Sequence, residues 1–203
     1  MWKMFDGFAG LGGASEAMVR SNKWEVMRID NNPLLQEVEH MTIIDIKEFA
    51  DELTRMIDEG YQPDSVDLVW LSPPCVEFSL GYSSPQSRAN RAGEDYQPDL
   101  SHLEVALEII RLLNPKFWVI ENVRGACKWF RPIIGEPRQV INHSIFLWGN
   151  FPFIRVENIE SKYANQGSSA DPLRPNRRAL IPYAISDALR RAIEEQRSIL
   201  EWV

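Results

Sequence analysis

Val66-Asp67-Leu68-Val69-Trp70-Leu71-Ser72-Pro73-Pro74-Cys75 is the stretch that decides the fold. The apolar run up to Leu71 reads as a buried strand. Two prolines can neither continue a strand ladder nor enter a helix interior, so the backbone leaves the sheet in a stiff, extended turn. The Cys75 thiol is thereby held at the carboxyl end of a strand, where open α/β sheets place their ligands. A buried structural cysteine beside a Pro-rich turn explains the same residues, so this stretch alone leaves both readings open.

Outward from it, strand-like and helix-like segments alternate. Strands are expected at Trp2–Phe5, Trp24–Ile29, Met41–Ile44, Val66–Leu71, Phe117–Ile120 and Ile145–Trp148. A helix is expected at Glu48–Glu59, with Phe49, Leu53, Met56 and Ile57 on one face and Gly60 as its C-terminal cap. Ser101-His102-Leu103-Glu104 has the spacing of a capping box, followed by the stripe Leu103, Ala106, Leu107, Ile110 and Leu113. Asn114-Pro115 stops that helix. A last helix is expected from near Ser186, with Ile185, Leu189, Ala192 and Ile193 facing inward. The alternation predicts an α/β fold: a mostly parallel sheet with helices on both faces. Gly81–Asp99 and Ser161–Asn176, rich in turn-forming and charged residues, are expected to be irregular.

The 203 residues suit one domain. Two cysteines make no disulfide framework, which predicts a reducing, cytoplasmic setting. The amino terminus lacks the pattern of a signal peptide, no stretch is long and apolar enough to span a bilayer, and three scattered histidines suggest no metal site. The net charge of -7 argues at first against a nucleic-acid partner. Its distribution softens that: residues 1–60 hold 6 Lys/Arg and 12 Asp/Glu, whereas residues 122–178 hold 9 and 4. A locally basic face on an acidic protein can bind phosphates, or can be an ordinary solvated surface.

Three more features carry chemistry. Asp6-Gly7-Phe8-Ala9-Gly10-Leu11-Gly12-Gly13 leaves the first strand as a glycine-rich loop that lets backbone approach a nucleotide-like ligand, or simply turns the chain. Phe8 within it is placed to stack on a flat or cationic group. Asp30 and Asp45 end the second and third strands, as ribose- or adenine-binding carboxylates or as helix caps. Glu121-Asn122-Val123 ends the fifth. A carboxyl group leaving water there has its pKa raised above an ordinary value of about 4.3 and can act as an acid, unless Arg124 or Arg131 pairs with it.

Taken together and in order, Asp6-x-Phe8-x-Gly10-x-Gly12-Gly13, Pro73-Pro74-Cys75-x-x-Phe78-Ser79 and Glu121-Asn122-Val123 resemble the cytosine-C5 DNA methyltransferase family. The resemblance covers residues 1–150 well and 178–195 loosely. It implies a Rossmann-like S-adenosylmethionine-dependent methyltransferase fold and transfer of a methyl group to C5 of cytosine in double-stranded DNA. By this resemblance Cys75 adds to C6 and Glu121 serves N3. The cofactor lies against Asp6, Phe8, Gly10, Leu11, Gly12, Gly13, Asn31 and Pro74, with Asp30 at the ribose and Asp45 and Ile46 at the adenine. The base must leave the duplex, and Gly81–Asp99 is expected to close over it as a lid. Ser79, Arg88, Arg91, Asn122, Arg124, Arg138 and His143 are the expected DNA contacts.

The resemblance has two gaps. Family members carry a Gln-x-Arg-x-Arg element before the sixth strand, where this chain has Asn142 and Ser144, with Arg138, Gln139 and His143 nearby. The family also inserts a large target-recognition domain, for which 150–178 is a minimal substitute. Residues 1–203 are therefore expected to form a single methyltransferase domain that reads a very short sequence or borrows a second subunit or copy. A tRNA cytosine-C5 methyltransferase and a non-catalytic regulatory subunit of the same fold remain the alternatives.

Overall fold

The computed structural model describes residues 1–156, 168 and 170–200, with side chains described to residue 196. Seven strands make one sheet: β1 (Trp2–Gly7), β2 (Trp24–Asp30), β3 (Met41–Ile43), β4 (Leu68–Leu71), β5 (Phe117–Asn122), β6 (Gln139–Ile141) and β7 (Ile145–Asn150). Their spatial order is β3-β2-β1-β4-β5-β7-β6. The first five strands pair in parallel, and β7 runs antiparallel to both neighbours. The helices are α1 (Glu16–Val19), α2 (Ile46–Asp58), α3 (Pro85–Ala92), α4 (Ser101–Leu113), α5 (Cys127–Ile134), α6 (Arg174–Ala179) and α7 (Tyr183–Leu200).

The core explains why β4 shows no polar alternation. Leu68 and Trp70 belong to the apolar cluster on one face of the sheet, with Met18 of α1 and Ile185, Leu189 and Ile193 of α7. Val69 and Leu71 belong to the other cluster, with Ala50 of α2, Leu103 and Ile109 of α4 and Phe130 of α5. A central parallel strand is covered on both faces and must be apolar throughout. Each fully buried side chain of this size contributes about 1.5–3 kcal/mol.

All six expected strands form, each within two residues of its expected ends. The differences lie in caps and short elements. The expected capping box does not form: Ser101 is already in the helix, and its N–H donates to Asp99 Oδ1 at 2.8 Å. Gly81–Asp99 is not irregular throughout. Ser84 accepts the Ser87 N–H, Pro85 supplies a preset first turn, and Gly93 ends α3 in the left-handed conformation. Residues that suggested a loop are here the punctuation of a helix. In the second expected irregular stretch, 161–167 and 169 lie outside the described residues, and α6 begins at Arg174. The last helix starts at Tyr183, because Pro182 opens its first turn by accepting the Ile185 N–H. β6 has three residues, too few to leave a periodic signal.

Candidate active site

After β1 the chain moves to β2 and β3 on one side, then returns to β4 on the other. β1 and β4 therefore flank the switch point, where the loops diverge and leave a crevice. The register puts Ile29, Gly7, Leu71 and Ile120 in one row across four strands. The next residue on each is Asp30, Phe8, Ser72 and Glu121. Asp30, the glycine loop, the Cys75 turn and Glu121 thus start from one level of the sheet, on strands about 4.8 Å apart.

The glycine loop is built around a buried polar knot. Arg28, on β2, is only 1% exposed. It donates to Ser15 Oγ (2.8 Å), the Gly12 carbonyl (2.9 Å), the Glu39 carbonyl (2.9 Å) and Glu16 Oε2 (3.1 Å). Ser15 Oγ donates to Asp6 Oδ2 at 2.5 Å. Asp6 Oδ1 is buried without a partner. Burial pushes the Asp6 carboxyl up to about 7, against the opposing pull of Ser15 and Arg28. Gly12 has φ +75°, and a Cβ there would lie 2.5 Å from Arg28 Cζ, so no larger residue fits over this knot.

Asp30 anchors the loop: Oδ2 accepts the Gly10 N–H at 2.9 Å, and Oδ1 accepts the Asn32 N–H at 3.0 Å. Asp45 caps α2 through Lys47 (2.9 Å) and receives Asn31 Nδ2 at 3.2 Å. Those hydrogen bonds hold its carboxyl below the usual range, the backbone one foremost. The cap reading of Asp45 is thus realised, and Ile46 is buried as the first residue of the helix. Phe8 takes a left-handed backbone (φ 56°) and meets the edge of His102 at 5.6 Å between ring centroids. The carboxyl-terminal segment closes the same site. Asn176 of α6 reaches Gly10 and accepts from Asn32 Nδ2 at 3.4 Å, and Ser186 of α7 accepts the Ala17 N–H at 3.0 Å.

The Cys75 turn and the β5 exit are joined directly. Asn122 is 1% exposed, donates through Nδ2 to the Pro73 carbonyl (3.0 Å) and accepts the Val123 N–H (2.9 Å). This buried amide, spent on two backbone groups, staples the end of β5 to the turn that carries Cys75. Phe78 is buried edge-on against Phe130 at 5.0 Å, and its carbonyl packs against Gly125. Cys75 and Ser79 are half-buried, Pro74 is exposed and Glu121 is buried.

Of the other expected DNA contacts, Arg88 and Arg91 lie exposed on α3, and Arg124 is exposed just beyond Glu121-Asn122-Val123. Arg138 is exposed over the Phe151 ring. Gln139 is unavailable for a lost arginine's role, because both ends of its amide hold the Ile154 backbone, at 2.7 and 3.1 Å. Asn142 and His143 form a hairpin turn with φ 48° and 55°, a conformation these two residue types tolerate better than most. His143 is exposed at its tip. An open groove of about 350 Å³ between β6 and Ile154–Val156 lies four strands from the glycine loop, apart from the crevice at the switch point.

Sequence reasoning missed Ser15, Arg28, His102 and Asn176. Arg28 was detectable: it shares the inward phase of Trp24 and Val26 on β2, and a charge on a buried strand face needs partners. Asn176 left no local signal, since only the return of the chain brings it to Gly10.

Three comparisons with known proteins find similarity. A viral protein described as "Probable DNA (cytosine-5)-methyltransferase", from Frog virus 3 (isolate Goorha), is 26% identical over 154 residues, covering 72% of this chain and 65% of its own length. The structure of the Entamoeba histolytica methyltransferase EhMeth is 15% identical, with a TM-score of 0.46, covering 79% of this chain and 56% of that one. The chain thus spans about two thirds of the viral relative. The model of the C-5 cytosine-specific DNA methylase family matches residues 2–129, from β1 through the Cys75 turn and Glu121 into α5, and the chain belongs to that family.

Proposed function

We propose that this protein transfers a methyl group from S-adenosylmethionine to C5 of cytosine in double-stranded DNA, through a covalent bond between Cys75 and C6. The observation that carries the reading is the hydrogen bond from Asn122 to the Pro73 carbonyl. It ties a cysteine turn to a buried carboxyl-bearing strand end, beside a glycine loop at the sheet's switch point. Residues 1–203 are read as one methyltransferase domain, with 150–178 as a minimal insert.

The residues at the crevice fit the cofactor. Gly10 and Gly12 have positive φ and give a close backbone approach, Phe8 offers a ring, and Asp30 and Asp45 retain carboxylate acceptor capacity for hydroxyl or amino groups. When bound, the cofactor supplies an electrophilic methyl group on a sulfonium. The chain does the rest. Cytosine C5 is electron-poor. The Cys75 thiol loses its proton and adds at C6, which moves electron density to C5. Glu121 hydrogen-bonds the base and delivers a proton to N3 as charge builds there. Once C5 is methylated, a base such as water or hydroxide removes the C5 proton, its electron pair forms the C5–C6 double bond, the C6–S bond breaks with its pair leaving on the Cys75 thiolate, and N3 returns its proton to Glu121. The half-buried turn keeps the thiol reachable, while buried Glu121 is shielded from water. The lid, 81–99, covers the extruded base.

The test is covalent trapping. Duplex DNA containing 5-fluorocytosine, incubated with protein and S-adenosylmethionine, is expected to give a denaturation-stable adduct with wild type and none with Cys75→Ser. Mapping modified cytosines in DNA from expressing cells identifies the sequence. Trapping on tRNA but not on duplex DNA would move the substrate to RNA. DNA and cofactor binding without any adduct would assign a regulatory role instead.

A further inference from the structure

The turn between β6 and β7 stands at the rim that carries Glu121. Asn122 pairs with Phe146 in antiparallel register, so the residues before Phe146 project past the end of β5. His143 lies three residues beyond Phe146, about 10 Å along the chain. The Ser144 N–H donates to the Ile141 carbonyl at 3.2 Å and closes a turn centred on Asn142 and His143. Both have positive φ, 48° and 55°, and both are exposed. Such a turn is least strained with glycine in its second central place. A histidine stands there instead, and backbone strain of this kind gathers at binding sites. The strain displays an imidazole beside a carboxamide.

Behind the tip lies the open groove of about 350 Å³, lined by Gln139, Val140, Ile141, Asn142, Ile154 and Val156. Its floor is fixed, because the Gln139 amide holds the Ile154 backbone from both ends. Val140 in its lining is 43% exposed. Charge selects the occupant. From Pro137 to Val156 the chain carries Arg138, His143 and Arg155 and no Asp or Glu, although the whole protein has a net charge of -7. Both arginines are exposed. A two-stranded ribbon fits the major groove of B-DNA, where carboxamides meet base edges, apolar side chains meet thymine methyl groups and guanidinium groups meet phosphates.

We propose that the β6–β7 hairpin reads the sequence around the target: Asn142 and His143 contact base edges in the major groove, and Arg138 and Arg155 hold the flanking phosphates. This deepens the DNA reading above and rests on it. The Asn142 amide can both donate and accept, as an adenine edge requires, and the His143 ring can donate to a guanine edge. B-DNA rises about 3.4 Å per base pair, so a tip about 10 Å past the β5 exit reads within about three base pairs of the extruded cytosine. Asn142 and His143 set specificity, while Cys75 and Glu121 act on the base.

The probe is a pool of duplexes with a cytosine in randomised flanks, methylated with S-adenosylmethionine and sequenced for modified positions. Wild type is expected to discriminate at least about tenfold between bases at one or more positions within about three of the target. His143→Gly relaxes the turn, so its Tm should equal or exceed that of wild type, yet the discrimination should fall below about threefold, as it should in Asn142→Gly. Arg138→Ala and Arg155→Ala should keep the discrimination, weaken binding to every sequence and each lower the salt slope by about 1. Discrimination absent in wild type, or unchanged in both turn variants, overturns the assignment. A wild-type dimer in sedimentation that Val140→Lys dissociates also overturns it, because the groove then belongs to a second copy. Wild type that methylates no duplex overturns the DNA reading beneath it as well, which separates the two failures.

Discussion

Gly125→Ala is the sharpest single perturbation of this site. A Cβ there would lie 1.8 Å from the Phe78 carbonyl oxygen. Ordinary carbon–oxygen contact needs roughly 3.3 Å, so the backbones must part by about 1.5 Å. Phe78 cannot retreat, because its ring is buried against Phe130, which leans on Trp148 at 5.2 Å. The displacement passes instead into the Cys75–Phe78 turn, whose ends are joined by the Phe78 N–H to Cys75 carbonyl bond (3.1 Å). A misplacement of about 1 Å can cost about 100-fold in rate. Methyl transfer to DNA, followed as kcat/KM with labelled cofactor, is therefore expected to fall about 100-fold. Overpacking should also remove about 1–3 kcal/mol of stability. Cofactor affinity by calorimetry should stay within threefold, since the glycine loop leaves a different strand. Gly93→Ala is the control: a Cβ there meets nothing within 4 Å, so it carries only backbone strain at φ +71°, about 1 kcal/mol. Gly125→Ala activity within threefold of wild type refutes the coupling between the β5 exit and the Cys75 turn.

Other consequences follow from the same geometry. Asp6 holds its proton up to about pH 7 when folded and releases it near pH 4 when unfolded. The folded state therefore binds more protons between those values. Stability should fall as pH rises through that window, by up to about 1.4 kcal/mol per unit, and level off above it. Denaturant unfolding of Asp6→Asn from pH 4.5 to 7.5 should lack that slope; equal slopes in both proteins would refute the burial argument. Gly12→Ala drives a methyl group into Arg28 and should lower both Tm and cofactor affinity, the latter more than tenfold by calorimetry; a wild-type Tm would show the knot to be slack. Trypsin should cleave at Arg88 and Arg91 more slowly once DNA and cofactor are both bound, and an unchanged rate would remove the lid.

Legibility in the sequence followed the range of the interaction responsible. The β4 run announced itself because burial on both faces demands consecutive apolar residues. The Pro73-Pro74-Cys75 turn did so because proline restricts backbone whatever surrounds it. Asp45 showed two possible roles, and only the position of the Lys47 N–H revealed that it caps α2. Ser84, Pro85 and Gly93 suggested a loop, yet the same residues serve as helix ends, and composition does not separate these uses. Asn122 was legible as part of a strand-end motif, but its hydrogen-bond partner was not. Its amide in fact points inward to Pro73, 49 positions away in the chain.

The sequence by itself determined the strand–helix alternation, the three strand-end motifs and hence the family, because these rest on local periodicity and backbone stereochemistry. Tertiary structure alone decided which polar groups meet. Arg28 beneath Gly12, Asn122 on Pro73, Asn176 beside Gly10 and Arg91 over Tyr82 are contacts between separate segments. The physical reason is that a buried or stacked polar group is specified by its partner, and chain topology, not chain order, chooses that partner.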